Sequence, residues 1–307
     1  MTSKAARAPV RPGRSPGRTG LAPRWFISPA TTAVLALSIF PLIFSLGLTF
    51  TNVNLFRRTP IRFVGLENWA RIFSDEALLE TLVNTVIFVG GGVAIQYALG
   101  LALAVALNQG LREQRLMRVL FLLPMMVSPI AVGFIIGRMV FSEGFGPIND
   151  MLQALGLPAV AWVTSPGVAK WTIILVDTWQ WTPLMMLLIL VGLQGIPGEP
   201  IQAARVDGAS EWRIFRHIVF PLLLPVSITA ILIRALEAFK IIDIIRVVTG
   251  GGPGRATESV TAYVYNVGAK QGDLAYAASA AYVLLFVVIG VSFLALYVMR
   301  RVQARYE

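Results

Sequence analysis

Long apolar runs recur along the chain, and shorter polar segments separate them. A helix of about 20 apolar residues is long enough to cross a hydrocarbon core of roughly 30 Å. The runs predict transmembrane helices at 27–50, 82–107, 118–141, 171–194, 222–245 and 276–299. Prolines lie inside the first, third and fourth runs, which favours kinked helices around a cavity. The pattern is that of an all-α integral membrane protein.

The polar segment "IQAARVDGASEWRIFRHIVFPLLLP" at 201–225 has a different pattern. Helix-favouring residues precede Gly208, which can take the left-handed conformation that ends a helix. Ser210 can cap a second helix that begins at Glu211. We therefore predict a helix–turn–helix over 199–217 that lies along the membrane surface and joins the next span. On physical grounds alone, an amphipathic connector without a further role explains the segment equally well.

The composition also indicates a membrane protein. Of the 307 residues, 56% are hydrophobic and 14% are charged, whereas a soluble domain carries roughly a quarter charged residues. The chain has no cysteine, which excludes disulfides and cysteine metal sites. His217 is the single histidine of the sequence, so a histidine-based metal centre is not expected.

The basic residues are distributed unevenly. Residues 1–25 carry six lysines and arginines and no acid, and they are rich in proline and glycine, so we predict a disordered cytoplasmic tail. With the N-terminus inside, the inside segments carry fifteen lysines and arginines and the outside loops carry seven. Basic loops favour the cytoplasmic side, so we expect both termini there. The net charge of +10 is thus explained by topology, and no nucleic-acid partner is expected.

The 201–225 segment resembles the EAA loop of permease subunits from binding-protein-dependent ABC importers. "TGGGPGRAT" at 249–257 and "DTWQWTPLMM" at 177–186 resemble further motifs of carbohydrate-importer permeases, of the maltose, trehalose and glycerol-phosphate type. The likeness runs from about residue 62 to the C-terminus. In this family the EAA loop couples the permease to a cytoplasmic ATPase. The corresponding positions here are Gln202, Ala203, Ala204, Asp207, Gly208 and Ala209, with Gln202 in place of the family's Glu.

The resemblance implies a type I ABC importer permease fold in a transmembrane domain over 26–307. It also implies a second permease subunit, two ATP-binding subunits, an extracytoplasmic sugar-binding protein and a location in the bacterial plasma (inner) membrane. The sequence contains no G-x-x-x-x-G-K-[ST] motif. We therefore expect this chain to bind no cofactor, with ATP and Mg²⁺ held by the partner ATPase.

Alignment on the maltose-type permeases also predicts a sugar site. The positions it implies are Gln180, Trp181, Leu184, Arg234, Glu237, Ala238 and Ile241. Arg234 and Glu237 are three residues apart and share a helix face. In this hypothesis Trp181 stacks on a sugar ring, while Gln180, Arg234 and Glu237 bond its hydroxyls. The alternative is an internal Arg234–Glu237 ion pair that only fixes helix packing.

Two other functions compete with an ABC permease. A secondary transporter could couple ions through Asp177, Glu237 and Asp243, since buried acids in broken helices are typical of such proteins. An intramembrane enzyme would need a nucleophile with its base or a metal motif. The G-x-S-x-G pattern occurs once, at 13–17 in the basic tail and outside any apolar run. The sequence has no H-E-x-x-H and no second histidine, so no catalytic residue is predicted.

Overall fold

The computed structural model describes residues 24–57, 59–109 and 114–303. It divides into two units, Met1–Gly47 and Leu48–Glu307. The predicted tail at 1–25 therefore lies outside the described residues except for its last two positions. The described residues of the first unit belong to the first helix, and all the functional candidates lie in the second unit.

The described part of the chain is mainly helical, as the sequence predicts. Its α-helices are α1 (Arg24–Leu48), α2 (Glu67–Ile72), α3 (Glu76–Leu107), α4 (Gln114–Met126), α5 (Pro129–Val132), α6 (Pro147–Ala154), α7 (Pro166–Gln194), α8 (Gly198–Val206), α9 (Glu211–Ile214), α10 (Phe220–Ala238), α11 (Asp243–Val248), α12 (Val260–Tyr265) and α13 (Leu274–Gln303). Wider π-helical turns extend α5, α9 and α12 over Gly133–Val140, Phe215–Val219 and Asn266–Lys270.

Among the described residues, five helices are long and apolar enough to cross a membrane. They are Ile27–Leu48, Glu76–Leu107, Pro166–Gln194, Glu211–Ala238 and Leu274–Arg301. A sixth span results if the bent pair Val119–Met126 and Pro129–Val140 is counted as one. The predicted class, an all-α membrane protein, is confirmed, and the described helices give five of the six predicted spans, or all six with the bent pair.

The third predicted span, 118–141, is wrong as a continuous helix. Its two halves meet at 96°, with the break between Met126 and Pro129. Proline lacks an N–H, and its ring collides with the preceding helical turn. It also drives the residue before it out of the helical region, and Ser128 is accordingly extended, with a ψ of 138°. The proline that was expected to kink this span therefore breaks it.

The fifth predicted span, 222–245, also needs correction at both ends. The helix that crosses here runs over Glu211–Ala238, so the second helix of the polar segment and the span form one rod through a π-helical turn. After Ala238 the helix stops. Ser259 Oγ donates to the carbonyl of Ile241 at 2.6 Å, and a similar bond runs from Thr261 to Phe239. These hydroxyls take carbonyl oxygens that a continuing helix would have used.

Three spans, α3, α7 and α10, form the centre of the second unit. Glycines bring their backbones close: a Cβ added at Gly100 of α3 would lie 2.9 Å from Met185 Cβ of α7. A Cβ at Gly192 of α7 would lie 2.7 Å from a methyl of Val226 in α10. Small residues at such contacts are the usual means of close helix packing in membranes. This proximity lets polar side chains of all three spans meet.

Candidate functional site

A hydrogen-bonded triad of Gln96, Asp177 and Arg234 connects the three central spans. Gln96 Nε2 donates to Asp177 Oδ2 at 2.7 Å, and Arg234 Nε donates to Gln96 Oε1 at 2.7 Å. Arg234 Nη2 forms an ion pair with the same Asp177 oxygen. All three side chains are buried. Charged groups in such a place are costly unless they are paired, so the triad holds the spans in one arrangement.

The ion pairs differ from the pairing that helix spacing favours. Arg234 pairs with Asp177 on another span, and Glu237 pairs with Lys240 at 2.7 Å. The alternative of an internal Arg234–Glu237 pair is therefore wrong. Glu237 and Lys240 are both exposed, so their pair contributes little stability. A guanidinium has five N–H donors, and the described contacts of Arg234 use two of them.

A cavity of about 180 Å³ lies beside the triad, where the third and fifth spans are broken. Its walls come from α7, from the end of α10, from the break after Ala238 and from Pro129 at the start of α5. Irregular backbone at membrane depth is tolerated where it lines a cavity. Two broken helices at one cavity are also typical of transporter binding sites.

Five of the seven predicted sugar-contacting residues line this cavity together. They are Trp181, Arg234, Glu237, Ala238 and Ile241. The Arg234 Cζ lies 5.1 Å from the centroid of the Trp181 ring, within range of a cation–π contact. The cavity therefore combines an aromatic face, a fixed guanidinium and a carboxylate.

Gln180 and Leu184 lie off this cavity. Gln180 is 1% exposed, and its Nε2 donates to the carbonyl of Val127 at 2.9 Å. That carbonyl lies in the break of the third span, where the interrupted helix leaves it without its usual donor. Gln180 Oε1 has no partner among the described residues. The structure thus gives Gln180 a role in fixing the break, and a sugar contact for Gln180 and Leu184 stays a prediction.

Sequence reasoning missed two features of the site. Gln96 was not singled out, although a polar residue inside an apolar run is a usable signal. Asp177 was predicted only as an ion-coupling acid. Its partner lies on a different span, and spacing along one helix cannot reveal such a partner. Lys240 also lines the cavity and pairs with Glu237. In the described ranges, no three histidine, aspartate or glutamate side chains are arranged to hold a metal ion.

The loop after α11 is fastened to α3 and supports one wall of the cavity. Asn84 Nδ2 donates to the carbonyls of Arg255 and Glu258, at 3.0 and 3.2 Å. The N–H of Val260 donates to Thr85 Oγ1 at 2.9 Å. Since Ser259 in turn holds the break after Ala238, the "TGGGPGRAT" segment and the cavity wall are parts of one hydrogen-bonded assembly.

The polar segment has the helix–turn–helix form predicted from the sequence. Gly208 ends α8 in the left-handed conformation, with a φ of +76°. The N–H of Ala209 donates to the carbonyl of Ala204, and that of Gly208 donates to the carbonyl of Arg205. These two bonds form a Schellman turn. Ser210 caps the second helix by accepting from the N–H of Arg213 at 3.4 Å.

The two helices of this segment are also connected by an ion pair. Arg205 Nε and Nη2 contact the two carboxylate oxygens of Glu211 at 2.8 and 3.1 Å, across the turn. Gln202, Ala203, Asp207 and Gly208 are exposed, and Ala204 and Ala209 are half-buried. Val206 is 88% exposed, which is unusual for so apolar a side chain in an ordered turn. Four of the six predicted coupling residues are therefore exposed and two are half-buried, on both sides of the turn.

Comparisons with known proteins identify the family and the fold of the chain. A family model described as "Binding-protein-dependent transport system inner membrane component" matches residues 96–306. The chain is 36% identical over 241 residues to the trehalose/maltose transport system permease protein MalF of Thermococcus litoralis, covering 78% of this chain and 81% of that protein. It is 33% identical over 258 residues to the sulfoquinovosyl glycerol transport system permease protein SmoG of Agrobacterium fabrum, covering 84% and 83%.

A solved structure shares the fold. It is a chain of a bacterial ABC transporter involved in the import of the acidic polysaccharide alginate, with a TM-score of 0.78 and 20% identity. The match covers 91% of this chain and 94% of that one. At this level of identity the likeness shows the fold, and the fold is the one predicted from the sequence.

Proposed function

Because the chain belongs to the family of inner membrane components of binding-protein-dependent transport systems, we propose that it is a permease subunit of an ATP-driven sugar importer. It forms half of the translocation path, and a second permease subunit forms the other half. Two separate ATPase subunits hydrolyse ATP, and an extracytoplasmic protein delivers the sugar. The 36% identity to a relative that is named for trehalose and maltose transport supports a sugar as the cargo.

The sugar contacts the cavity at the broken helices. The observation that carries this proposal is the convergence of Trp181, Arg234 and Glu237 on one cavity from two spans. An aromatic face for a ring and a few fixed polar groups are what a small-molecule site needs. The cavity's 180 Å³ is smaller than the roughly 300–1,000 Å³ of a complete site. A second permease would supply the missing wall.

The 199–217 segment couples the chain to the ATPase. A turn fixed by Gly208 and by the Arg205–Glu211 pair presents exposed small and apolar residues. Since α9 continues into α10 through Phe215–Val219, movement of the docked segment would reach the cavity along one rod. Gln202, which replaces the family's Glu, is exposed and can still donate or accept a hydrogen bond with the ATPase.

The proposed orientation places both termini and the 199–217 segment in the cytoplasm of a bacterial cell. The excess of lysine and arginine in those segments supports it. The α6 region and the loop after α11 then face outward, toward the sugar-binding protein. The chain acts as a transporter subunit, with hydrolysis confined to its partners.

The experiment that tests this function is uptake into vesicles that contain the reconstituted complex. We expect uptake of labelled sugar to require hydrolysable ATP on the side of the ATPase and to survive collapse of ion gradients. A secondary transporter would show the reverse dependence. The structure favours dependence on ATP. Ion coupling would use three acids, and two of them are already in ion pairs, Asp177 with Arg234 and Glu237 with Lys240.

A further inference from the structure

Both cations that this chain places around the cavity are already paired with its own carboxylates. Five charged residues line it: Asp177, Arg234, Glu237, Lys240 and Asp243. The Arg234 guanidinium is neutralised by Asp177, and the Lys240 ammonium by Glu237. Asp243 is exposed and has no ion-pair partner among the described residues. The lining therefore has two positive and three negative charges, and its net charge is −1.

We infer that this cavity selects sugars that carry no net charge and disfavours phosphorylated or acidic sugars. This inference rests on the proposed function, because it concerns the cargo of the same site. An anionic group would meet no uncompensated cation among the described residues that this chain contributes to the cavity. To bind Arg234 as a counter-ion, the anion would have to compete with Asp177. This carboxylate is already in contact with Arg234 and also accepts a hydrogen bond from Gln96.

The unused donors of Arg234 suit a neutral ligand. Three of its five N–H groups are free of the described contacts, and hydroxyl or ring oxygens can accept from them without displacing Asp177. The Trp181 ring lies beside the same guanidinium and offers an apolar face to a sugar ring. The Glu237 carboxylate accepts hydrogen bonds, and uncharged sugars have hydroxyl donors for it.

The test compares neutral disaccharides with their own phosphorylated forms. The purified complex of both permeases and the ATPase, without the sugar-binding protein, is studied by saturation-transfer NMR. The probes are maltose, trehalose and cellobiose, each beside its 6-phosphate. We expect at least one neutral disaccharide to bind, and its 6-phosphate to bind about tenfold more weakly, because like charges repel across a short distance.

Charge variants assign the effect to this cavity. Asp243→Asn and Glu237→Gln each remove one negative charge, and both should bring the affinities for the neutral and phosphorylated forms closer together. Asp150→Asn removes the same charge from an exposed position on α6, away from the cavity, and should leave the ratio unchanged. If the ratio of the affinities for the neutral and the phosphorylated sugar changes equally in all three variants, the discrimination arises outside this cavity.

The outcomes separate the two levels of the proposal. If a 6-phosphate binds as tightly as its neutral parent, the inference is wrong but the sugar site stands. If no sugar of either kind binds, or if binding is unaffected by Trp181→Ala, the proposed site fails and the inference with it. A preference for the neutral sugar that becomes smaller in Asp243→Asn supports both the sugar site and the inference about charge.

Discussion

Arg234 of α10 forms a buried ion pair with Asp177 of α7, and Gln96 of α3 hydrogen-bonds to both. This relationship joins the three central spans at the edge of the cavity. The guanidinium is fixed by two contacts and still has N–H groups that can donate to a ligand. The same residue is therefore positioned to stabilise the fold and to contact the cargo, and substitutions can separate these two roles.

The first prediction concerns the cost of breaking this pair. Asp177→Asn should destabilise the purified complex by about 3–5 kcal/mol, because a buried guanidinium loses its counter-ion. The double variant Asp177→Asn with Arg234→Met should recover most of that loss, since no buried charge is left. Thermal unfolding and the amount of complex in the membrane measure both effects.

Transport by the double variant then separates the two roles of Arg234. If Arg234 contacts the sugar, the double variant assembles but does not transport. Normal transport would show that the pair serves packing alone. Lys240→Met is the matched control, because it removes the cation of an exposed pair and should change stability by about 0–1 kcal/mol.

The second prediction concerns the break in the third span. Gln180→Leu removes the donor to the Val127 carbonyl and should lower stability by about 1–3 kcal/mol, the usual cost of a buried group left unpaired. Gln180→Glu should cost at least as much, because an ionised carboxylate cannot donate. Gln194→Leu, at the end of the same helix and exposed, is the control. Equal melting temperatures for all four proteins would contradict a role for Gln180 at the break.

The sequence predicts features of this protein that depend on local chemistry. The number and type of spans follow from apolar runs, and the Gly208 turn follows from glycine between two helix-favouring stretches. The break after Ala238 was missed, because it depends on hydroxyls of Ser259 and Thr261 that approach from a distant segment. The triad was missed for the same reason: spacing on one helix cannot show which residue of another helix lies opposite Arg234.

The third prediction is a pH dependence at Asp75, the residue that caps α3. Partial burial alone would raise the pKa of its carboxyl. Hydroxyl groups of Tyr263 and Tyr276 donate to the carboxylate, and together with the N–H of Leu78 they hold that pKa below its ordinary value. A lowered pKa in the folded protein means that the carboxylate stabilises the fold above the ordinary pKa. That contribution is lost as the pH falls through the lowered value.

Asp75→Asn should therefore lower the melting temperature at pH 7, although asparagine can still cap the helix. The hydrogen bonds to the charged group contribute about 1–2 kcal/mol before solvent screening reduces them. The difference between wild type and variant should shrink below about pH 4, where an ordinary aspartate gains its proton. Asp150→Asn, at an exposed site, should show no such trend. A difference at Asp75 that is independent of pH would refute this electrostatic role.

The fourth prediction concerns orientation. The chain has no cysteine, so single cysteines can be labelled with an impermeant reagent. Asn149 is a poor probe, because it is buried and holds Val160 and Trp162. Asp150 is exposed beside it, and Val206 is 88% exposed in the coupling turn. Asp150→Cys should react from outside intact cells, and Val206→Cys only after permeabilisation. The opposite pattern would invert the proposed topology.

The fifth prediction concerns coupling through the turn at Gly208. A Cβ at Gly208 would meet no atom within 4 Å, so the obstacle to Gly208→Val is its φ of +76°. A left-handed conformation costs a residue with a side chain about 1–2 kcal/mol, and branching at Cβ adds to this. The variant should fold but dock poorly on the ATPase. Gly198→Val places the same side chain in α8 at an ordinary φ and is the control.

In the proposed function, this chain passes sugar through the cavity at Trp181 and draws energy through the turn at Gly208. The most direct test is to measure sugar uptake and ATP hydrolysis together in the same vesicles, for wild type, Trp181→Ala and Gly208→Val. We predict that Trp181→Ala keeps basal hydrolysis but loses uptake, and that Gly208→Val loses both uptake and the hydrolysis that sugar stimulates. Normal uptake by both variants, or uptake by the wild type without ATP, would show that the chain does not carry sugar in this way.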